Sequence, residues 1–223
     1  MSDGEKTSKV RLRRDAVILA AADIADREGL ETLTLAGVAA AVDRHVTSLY
    51  THVDSLTSLR RDVALLGATE LGEALWVAAL GRSGVDALDR VARAYRAYAV
   101  AHPGRYYAMT MIRNDEDEEI VRAGDRVTTA IRAVLSSFGL DAEQTIHAHR
   151  IFASAIRGFT LVEYTRGFVL YPDPDRTFDD LIDLFSAAVA SSTWPMRRSD
   201  LSAETGEPAP SGTRAERQPE NHA

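Results

Sequence analysis

The sequence contains no cysteine among its 223 residues, which excludes a disulfide framework and any chemistry that depends on a thiolate. It also lacks an apolar run approaching the roughly 18 residues that a membrane-spanning helix needs. The first residues are charged and do not contain the apolar segment of a secretory signal. These absences predict a cytoplasmic protein with no membrane partner.

The motifs of common enzyme and cofactor sites are missing as well. The chain has no Gly-x-Ser-x-Gly sequence, no glycine-rich phosphate loop and no His-Glu-x-x-His sequence. Glu143 and His147 share a helix face, but no further metal ligand is evident. The acidic run 114–119 lacks the glycine and the spacing of a calcium loop. The sequence therefore predicts no enzymatic activity, no cofactor and no metal site.

Charge is distributed unevenly along the chain, whose formal net charge is −7. Basic residues crowd its start, at Lys6, Lys9, Arg11, Arg13 and Arg14. We expect residues 1–10 to form a disordered basic arm. From Trp194 onward, Ser, Pro, Glu and Gly dominate and apolar residues are almost absent. This composition predicts a disordered tail over residues 194–223.

Between these ends, apolar residues recur at the spacing of helices, and no segment is a credible strand. The apolar stripe of the first helix comprises Val17, Ala20, Ala21, Ile24 and Ala25. Thr34 is placed to cap a second helix, and a third is predicted from Val46 to Val53. A long fourth helix begins after Asp54 or Ser55 and reaches about residue 80.

The second half of the chain is also predicted to be helical. A tyrosine-bearing helix is followed by a short helix from Pro103 to Met111. Asn114 is placed to cap the next helix, which ends near residues 138–139. A further helix is predicted from Asp141 to Phe168, and the last one begins at a capping box, Thr177–Asp180.

The stretch LTLAGVAAAVDRHVTSLYTHV, residues 33–53, contains two short helical segments joined by a tight break. This pattern is typical of a helix-turn-helix, whose second helix lies in the major groove of DNA. With Leu49 and Val53 facing inward, the second segment exposes hydroxyl and imidazole groups that can donate to phosphates and base edges. The alternative is a small amphipathic helix whose outer face is simply polar.

The segment LAGVAAAVDRHVTSLYTHVDSLTSL, preceded by EGLETLT, resembles the DNA-binding domain of the TetR (tetracycline-repressor) family. Its specific part is SLYTHV, and the resemblance covers about residues 11–60. The resemblance and the pattern together assign DNA contacts to Arg11, Arg13, Arg14, Thr34, His45, Val46, Thr47, Ser48, Tyr50, Thr51 and His52. The resemblance implies a pseudo-palindromic double-stranded operator as the partner.

The sequence departs from the family pattern at the turn and at several basic positions. Asp43 and Arg44 stand where the family usually has glycine and an apolar residue. Asp43 can adopt the left-handed conformation that a turn needs. Arg44 cannot fill an apolar socket, so Val46 faces either the groove or the core. Uncharged Ala36, Gly37 and Leu56 stand where the family often has basic contacts. The three arginines of residues 11–14 are expected to compensate for them.

Two later segments, VARAYRAYAVAHPGRYYAMT and AIRGFTLVEYTRGF, resemble the ligand-binding half of a TetR subgroup. That subgroup usually carries Trp-His-Gly where this chain has Ile156-Arg157-Gly158. The resemblance implies a small-molecule effector held by some of Tyr95, Tyr98, Tyr106, Met109, Phe152 and Phe159. Each of these residues, taken singly, is better suited to an ordinary core, since aromatic and Met side chains build cores and pockets alike.

Dimerisation is predicted through the last two helices, since the 141–168 helix is apolar nearly all round and needs partners on several sides. The expected interface residues are Ala155, Gly158, Phe178, Leu181, Phe185 and Val189. Small residues would let two helices approach closely, and a twofold contact is self-complementary.

Together these features predict an all-α chain: an N-terminal three-helix bundle with a helix-turn-helix (11–54) and a larger helical ligand-binding and dimerisation domain (55–193). The predicted function is a homodimeric repressor that a small molecule releases from DNA. A ligand-independent or co-repressed regulator of the same fold is one alternative. A helical adaptor that binds protein is another.

Overall fold

The computed structural model describes residues 13–112, 115–169, 173–191 and 194, and every regular element within them is helical. The α-helices, in chain order, are α1 (Arg14–Glu28), α2 (Leu35–Ala41), α3 (Val46–Leu49), α4 (Leu56–Ala79), α5 (Gly84–Ala101), α6 (Pro103–Met111), α7 (Glu118–Leu135), α8 (Ala142–Tyr164) and α9 (Pro174–Ala190). Short 3₁₀ turns occupy Leu30–Thr32 and Ser136–Phe138. The predicted all-α fold is confirmed. None of the helices in these ranges is both long and apolar enough to cross a membrane.

The two predicted disordered ends fall largely beyond this part of the chain. The basic arm, residues 1–10, lies outside the described residues. The same is true of the tail after Trp194. The fold therefore concerns the nine α-helices of the described ranges and the turns between them.

Helices α1 to α3 pack around a core of aliphatic side chains. Its fully buried members include Val17, Ala21, Val38, Leu49 and Val53. The apolar spacing of α1 places its buried groups on one face, and Gly29, with φ of 97°, ends that helix. Small side chains let three short helices approach closely.

The long helix α4 connects this bundle to the rest of the molecule. Ser55 caps it by accepting a hydrogen bond from the backbone N–H of Ser58 at 3.0 Å. Its 24 residues span about 36 Å. Leu59 and Val63 at its start belong to the N-terminal core, whereas Leu71 and Leu75 belong to a second core.

The second core is formed by α5 to α9 with the end of α4, and aromatic rings dominate it. The rings it buries belong to Tyr95, Tyr98, Tyr106, Phe152, Phe159, Phe178 and Phe185. Tyr95 and Tyr106 meet edge to face, and so do Phe159 and Phe178, with ring centroids 5.9 and 5.1 Å apart. Such contacts stabilise a core beyond the area that the rings bury.

Helix α6 lies between α1 and α4, and glycine permits both contacts. A Cβ added to Gly104 would lie 2.1 Å from the carbonyl carbon of Ala25, and one added to Gly67 would lie 2.7 Å from the carbonyl oxygen of Arg105. These distances are shorter than any real Cβ contact. The backbone of α6 therefore touches the N-terminal bundle directly.

Several predicted helix ends are corrected by the structure. The third helix is regular only over Val46–Leu49, although the N–H of Val53 still donates to the carbonyl of Leu49 at 2.9 Å. Helix α8 ends at Tyr164 instead of Phe168, because Thr165 and Gly167 bond back to its last carbonyls. Asp141, predicted to open this helix, caps it through a capping box with Gln144.

The caps of α7 and α9 also differ from the predictions. Asp117 caps α7 by accepting from the N–H groups of Glu119 and Ile120, while the predicted cap, Asn114, lies outside the described residues. Asp173 caps α9, which begins at Pro174, so the predicted start at Thr177–Asp180 is wrong. Proline is favoured in the first helical turn because its missing N–H has no partner there.

Candidate functional sites

The turn between α2 and α3 has the backbone geometry that the sequence predicts. Asp43 has φ of 52°, in the left-handed region. The Arg44 side chain is three-quarters covered and donates from Nη1 to the carbonyl of Asp43 at 2.7 Å. Val46 is half-buried and packs against the N-terminal core. The sequence predicts that Val46 faces either the DNA groove or the core, and in the structure much of its side chain faces the core.

The segment after the turn presents the polar face expected of a recognition helix. Leu49 and Val53 are buried and hold the segment to the core. His45, Thr47, Tyr50 and Thr51 are exposed on the other side, and Ser48 and His52 are half-buried. The segment 44–53 contains no carboxylate, so nothing on it repels a phosphate.

Two further features flank this surface. Thr34 accepts a hydrogen bond from the N–H of Gly37 at 3.1 Å, so its oxygen caps α2 while its side chain stays exposed. In the first turn of α4, Ser55 satisfies only the N–H of Ser58 and leaves the preceding N–H groups for another acceptor. Such a helix start favours an anion.

The three arginines predicted to contact DNA near the start of the chain are placed differently from one another. Arg11 lies outside the described residues, and Arg13 is exposed. Arg14 donates from Nη2 to Asp62 of α4 at 2.8 Å, and Asp62 is buried. Arg14 is therefore partly committed to holding α1 against α4, although half of its side chain remains accessible.

This ion pair continues toward α7. Arg61 lies 3.3 Å from Asp62 and donates to Asp117 at 2.6 and 2.7 Å and to Glu119 at 2.6 Å. The hydrogen bonds from Arg61 lower the pKa of Asp117 to about 2. Because Asp117 also caps α7, one carboxylate joins the start of that helix to α4.

A second ionic cluster joins α6 to the N-terminal bundle. Arg105 is buried and donates to Asp23 of α1 at 2.5 Å and to Glu70 of α4 at 3.2 Å. Its backbone N–H donates to Asp26 at 2.9 Å. Tyr98 donates to Glu70 at 2.8 Å, and burial raises the pKa of that tyrosine. One arginine thus ties three helices together.

A cavity of about 280 Å³ lies between α4, α6, α7 and α8. Ala68, Met109, Ile120 and Val127 contribute apolar walls. The polar or charged groups of its lining belong to Thr110, Asp115, Asp125, Thr128 and Arg157. Its volume is near the lower end, about 300 Å³, of the range for small-molecule sites.

A second cavity of about 130 Å³ adjoins it between α6 and α8. Tyr106, Tyr107, Leu161 and Tyr164 line this cavity, and the rings of Tyr107 and Tyr164 are stacked with centroids 5.9 Å apart. Thr110 and Arg157 line both cavities. The two spaces are therefore neighbours that share a polar boundary.

The six residues predicted to hold a ligand are divided by the structure. Met109 lines the larger cavity, and Tyr106 lines the smaller one. Tyr95, Tyr98, Phe152 and Phe159 line neither cavity and pack in the second core. Tyr106 shares a 2.8 Å hydrogen bond with buried Thr160, and burial raises its pKa. The prediction misses Arg157, whose only sequence signal is its departure from the Trp-His-Gly pattern.

The residues predicted for the dimer interface are mostly turned inward. Phe178, Phe185 and Val189 lie inside the core of the chain, because the apolar stripe of α9 packs against α5 and α8. Leu181 and Ala155 are half-buried, and Gly158 is exposed. Trp194, predicted as the first residue of the tail, contacts the ring of Phe185 and accepts a hydrogen bond from Gln144.

Other apolar side chains are exposed on the same two helices. On α8, Ile151, Gly158 and Val162 recur with helical spacing and are exposed. On α9, the side chain of Leu184 is 71% exposed. The described ranges contain no group of three side chains suited to a metal ion.

Comparisons with known proteins agree with this geometry. The sequence profile of the tetracyclin repressor-like C-terminal domain matches residues 88–185. The HTH-type transcriptional regulator Rv0681 of Mycobacterium tuberculosis is 38% identical over 82% of this chain and 84% of its own length. The regulator YobS of Bacillus subtilis is 32% identical over 69% of this chain and 80% of its own. These relatives are named as regulators and not as enzymes.

Solved structures show the same fold. A Rhodococcus protein aligns with a TM-score of 0.72 at 16% identity, over 84% of this chain and all of its own. ActR of Streptomyces coelicolor, in complex with (S)-DNPA, aligns with a TM-score of 0.57 at 17% identity, over 80% of this chain and 96% of its own. A TetR variant of Acinetobacter baumannii AYE, in complex with minocycline, aligns with a TM-score of 0.62 at 17% identity, over 79% of this chain and 96% of its own.

Proposed function

Because this chain belongs to the TetR family of transcriptional regulators, we propose that it is a homodimeric repressor that a small molecule releases from its operator. The chain is a DNA-binding regulator of transcription. Repression, release by a ligand and dimerisation are the steps that this proposal adds. It also places the protein in the cytoplasm and divides it into a DNA-binding domain (11–54) and a ligand-binding and dimerisation domain (55–193).

The observation that carries the DNA-binding step is the exposed polar face of residues 45–52. Its side chains can donate to phosphates and base edges, and no carboxylate interrupts it. The N–H groups at the start of α4 add a backbone site for a phosphate. A pseudo-palindromic operator follows from a dimer, since two reading helices must enter major grooves about 34–36 Å apart.

The dimer is supported by the uncovered apolar side chains of α8 and α9. Ile151, Val162 and Leu184 are all exposed, although they lie on helices whose other faces are packed. Large apolar side chains exposed on two neighbouring helices are what an interaction site would cover. Gly158, where an added Cβ would meet only open space, lets a partner helix approach. We therefore move the proposed interface from the inward stripe of α9 to this outer face.

The ligand step is supported by the larger cavity between α4, α6, α7 and α8. Helix α6 borders that cavity at Met109 and contacts α1 at Gly104. A ligand there touches an element that also touches the DNA-binding bundle. It shifts the DNA-bound population only if it binds the two conformations with different affinity. The ActR and TetR structures described above each hold a small molecule.

The test is operator binding by recognition-segment variants. Thr47→Ala and Tyr50→Ala should each weaken binding to the intergenic DNA beside the protein's own gene by about 1–3 kcal/mol, because each removes an outward group that contacts DNA. Fluorescence anisotropy with competitor DNA measures the affinity. Thr129→Ala, at an exposed threonine of α7, is the matched control and should bind normally.

Wild-type affinity in both variants would remove the proposed reading surface. Light scattering on the same samples reports whether two chains bind one operator. A protein that binds as a monomer contradicts the dimer. A protein that binds DNA but responds to no small molecule is a ligand-independent regulator.

A further inference from the structure

Arg157 of α8 is a cation placed where the two cavities meet. It lines the 280 Å³ cavity with Met109 and Thr110, and it lines the 130 Å³ cavity with Tyr107 and Tyr164. No other described residue that lines either cavity is positively charged. A group bound in either space is therefore close to this guanidinium.

The side chain of Arg157 is exposed, unlike those of Arg61, Arg96 and Arg105, and its partners also differ from theirs. Arg61, Arg96 and Arg105 each form ion pairs with two or more carboxylates. Within the described ranges, the guanidinium of Arg157 pairs with none, and its Nε donates to the hydroxyl of Tyr95 at 3.4 Å. A long hydrogen bond to a neutral phenol leaves most of the donors of a guanidinium unused.

The protein groups around Arg157 leave its remaining donors to solvent or to a bound molecule. The rings of Tyr95 and Tyr106 are buried in the core beside Arg157, and the Tyr106 hydroxyl is already bonded to Thr160. Asp115 and Asp125 line the larger cavity but form no ion pair with Arg157. The described lining of the larger cavity holds two carboxylates and one guanidinium, so Arg157 can neutralise one negative charge of a ligand, and a second charge would have no cation to pair with.

We infer that Arg157 binds the carboxylate of a small, singly charged organic acid whose apolar body fills the larger cavity. A planar carboxylate can accept two parallel hydrogen bonds from a guanidinium, which gives orientation as well as affinity. The aliphatic walls from Ala68, Ile120 and Val127 suit an apolar body. This inference rests on the proposed function, for which it supplies the chemical class of the effector.

The test uses matched probes that differ only at the polar end. These are 3-phenylpropionate and 4-phenylbutyrate, their primary amides, and the phosphate esters of the corresponding alcohols. Calorimetry and the shift in melting temperature measure binding to the full-length protein without DNA. At least one carboxylate should bind saturably at millimolar concentration, and its amide should bind at least about tenfold more weakly, because an amide makes no ion pair with the guanidinium.

Arg157→Gln should remove this preference, and Arg157→Lys should retain part of it, since an ammonium keeps the charge but loses the planar fork. Arg150→Gln, which makes the same charge change two turns earlier on α8, should bind like the wild type. The comparison of carboxylate with amide on the wild type needs no variant, so a folding defect in Arg157→Gln does not decide the result.

Three results would overturn the inference: equal binding of amide and carboxylate, tighter binding of the phosphate esters, or no binding by either carboxylate. Retained carboxylate affinity in folded Arg157→Gln would do the same. Operator binding is measured separately. A carboxylate that binds through Arg157 without releasing DNA leaves this site intact and contradicts only ligand release.

Discussion

The two cores of the molecule bury different kinds of side chain. The described part of the N-terminal core buries Val, Ala, Ile and Leu and no aromatic ring, whereas the C-terminal core buries seven rings. Small aliphatic groups let short helices pack closely and leave the polar face of residues 45–52 on a compact support. Seven aromatic rings, three of them with hydroxyl groups, build the other interior, beside which two cavities lie. One region is suited to hold a fixed surface and the other to enclose a ligand.

The largest expected effect comes from removing a ring from the C-terminal core. Phe178→Ala should lower the free energy of unfolding by about 3–5 kcal/mol, because the side chain is buried against Phe159 and beneath Arg96. Urea denaturation at fixed protein concentration measures it. Phe168→Ala, at an exposed ring that also contacts Phe159, should lower the free energy of unfolding by about 1 kcal/mol. Equal losses would mean that the rings do not act as a packed core.

A smaller effect is expected where the two regions meet. Gly104→Ala should lower the free energy of unfolding by about 1–3 kcal/mol, since the new methyl group overlaps the backbone of Ala25. Gly124→Ala is the matched control on α7, where nothing lies within 4 Å of the added carbon, and it should stabilise by up to about 1 kcal/mol. Thermal melts of both variants measure the difference. A neutral Gly104→Ala would show that α6 and α1 can separate freely.

The smallest effect concerns pH at the link between α4 and α7. The pKa of Asp117 is lowered from 3.8 to about 2 by Arg61. A lowered acid pKa stabilises the folded state above the unfolded value, and this contribution is lost as pH falls from about 4 to about 2. Asp117→Asn should therefore show a shallower fall in melting temperature across that window. The melting temperature of Glu73→Gln, a variant at an exposed carboxyl of α4, should fall across that window as it does in the wild type. An unchanged slope in Asp117→Asn would remove this link.

The sequence predicts the N-terminal region well because its signals are local. Thr34 caps a helix, Asp43 takes the left-handed conformation, and Leu49 and Val53 face inward. Each of these features depends on a few adjacent residues. The predicted end of the third helix lies four residues too late. Val53 faces inward at helical spacing from Leu49, although regular helix stops at Leu49.

The C-terminal region is predicted less well because its outcome depends on distant contacts. The apolar stripe of α9 is evident in the sequence, but periodicity does not say whether α5 and α8 of the same chain or a partner covers it. Tyr95 and Phe152 are candidate ligand contacts by resemblance and core residues in the structure. The position of Arg157 between two cavities cannot be inferred from its neighbours in sequence, because it depends on how α6, α7 and α8 pack in three dimensions.

Helix α6 has the geometry of a short lever. Its tightest contact is at Gly104, where backbone meets backbone, and its opposite end borders the cavity at Met109 and Thr110. The distance along the helix from Gly104 to Met111 is about 10 Å, so a tilt of roughly 6° about the glycine moves the far end by about 1 Å. Arg105 is next to Gly104, so the same tilt moves the side chain that pairs with Glu70 and Asp23. A displacement of the far end of α6 by less than a bond length therefore corresponds to a small change in the angle between α6 and α1.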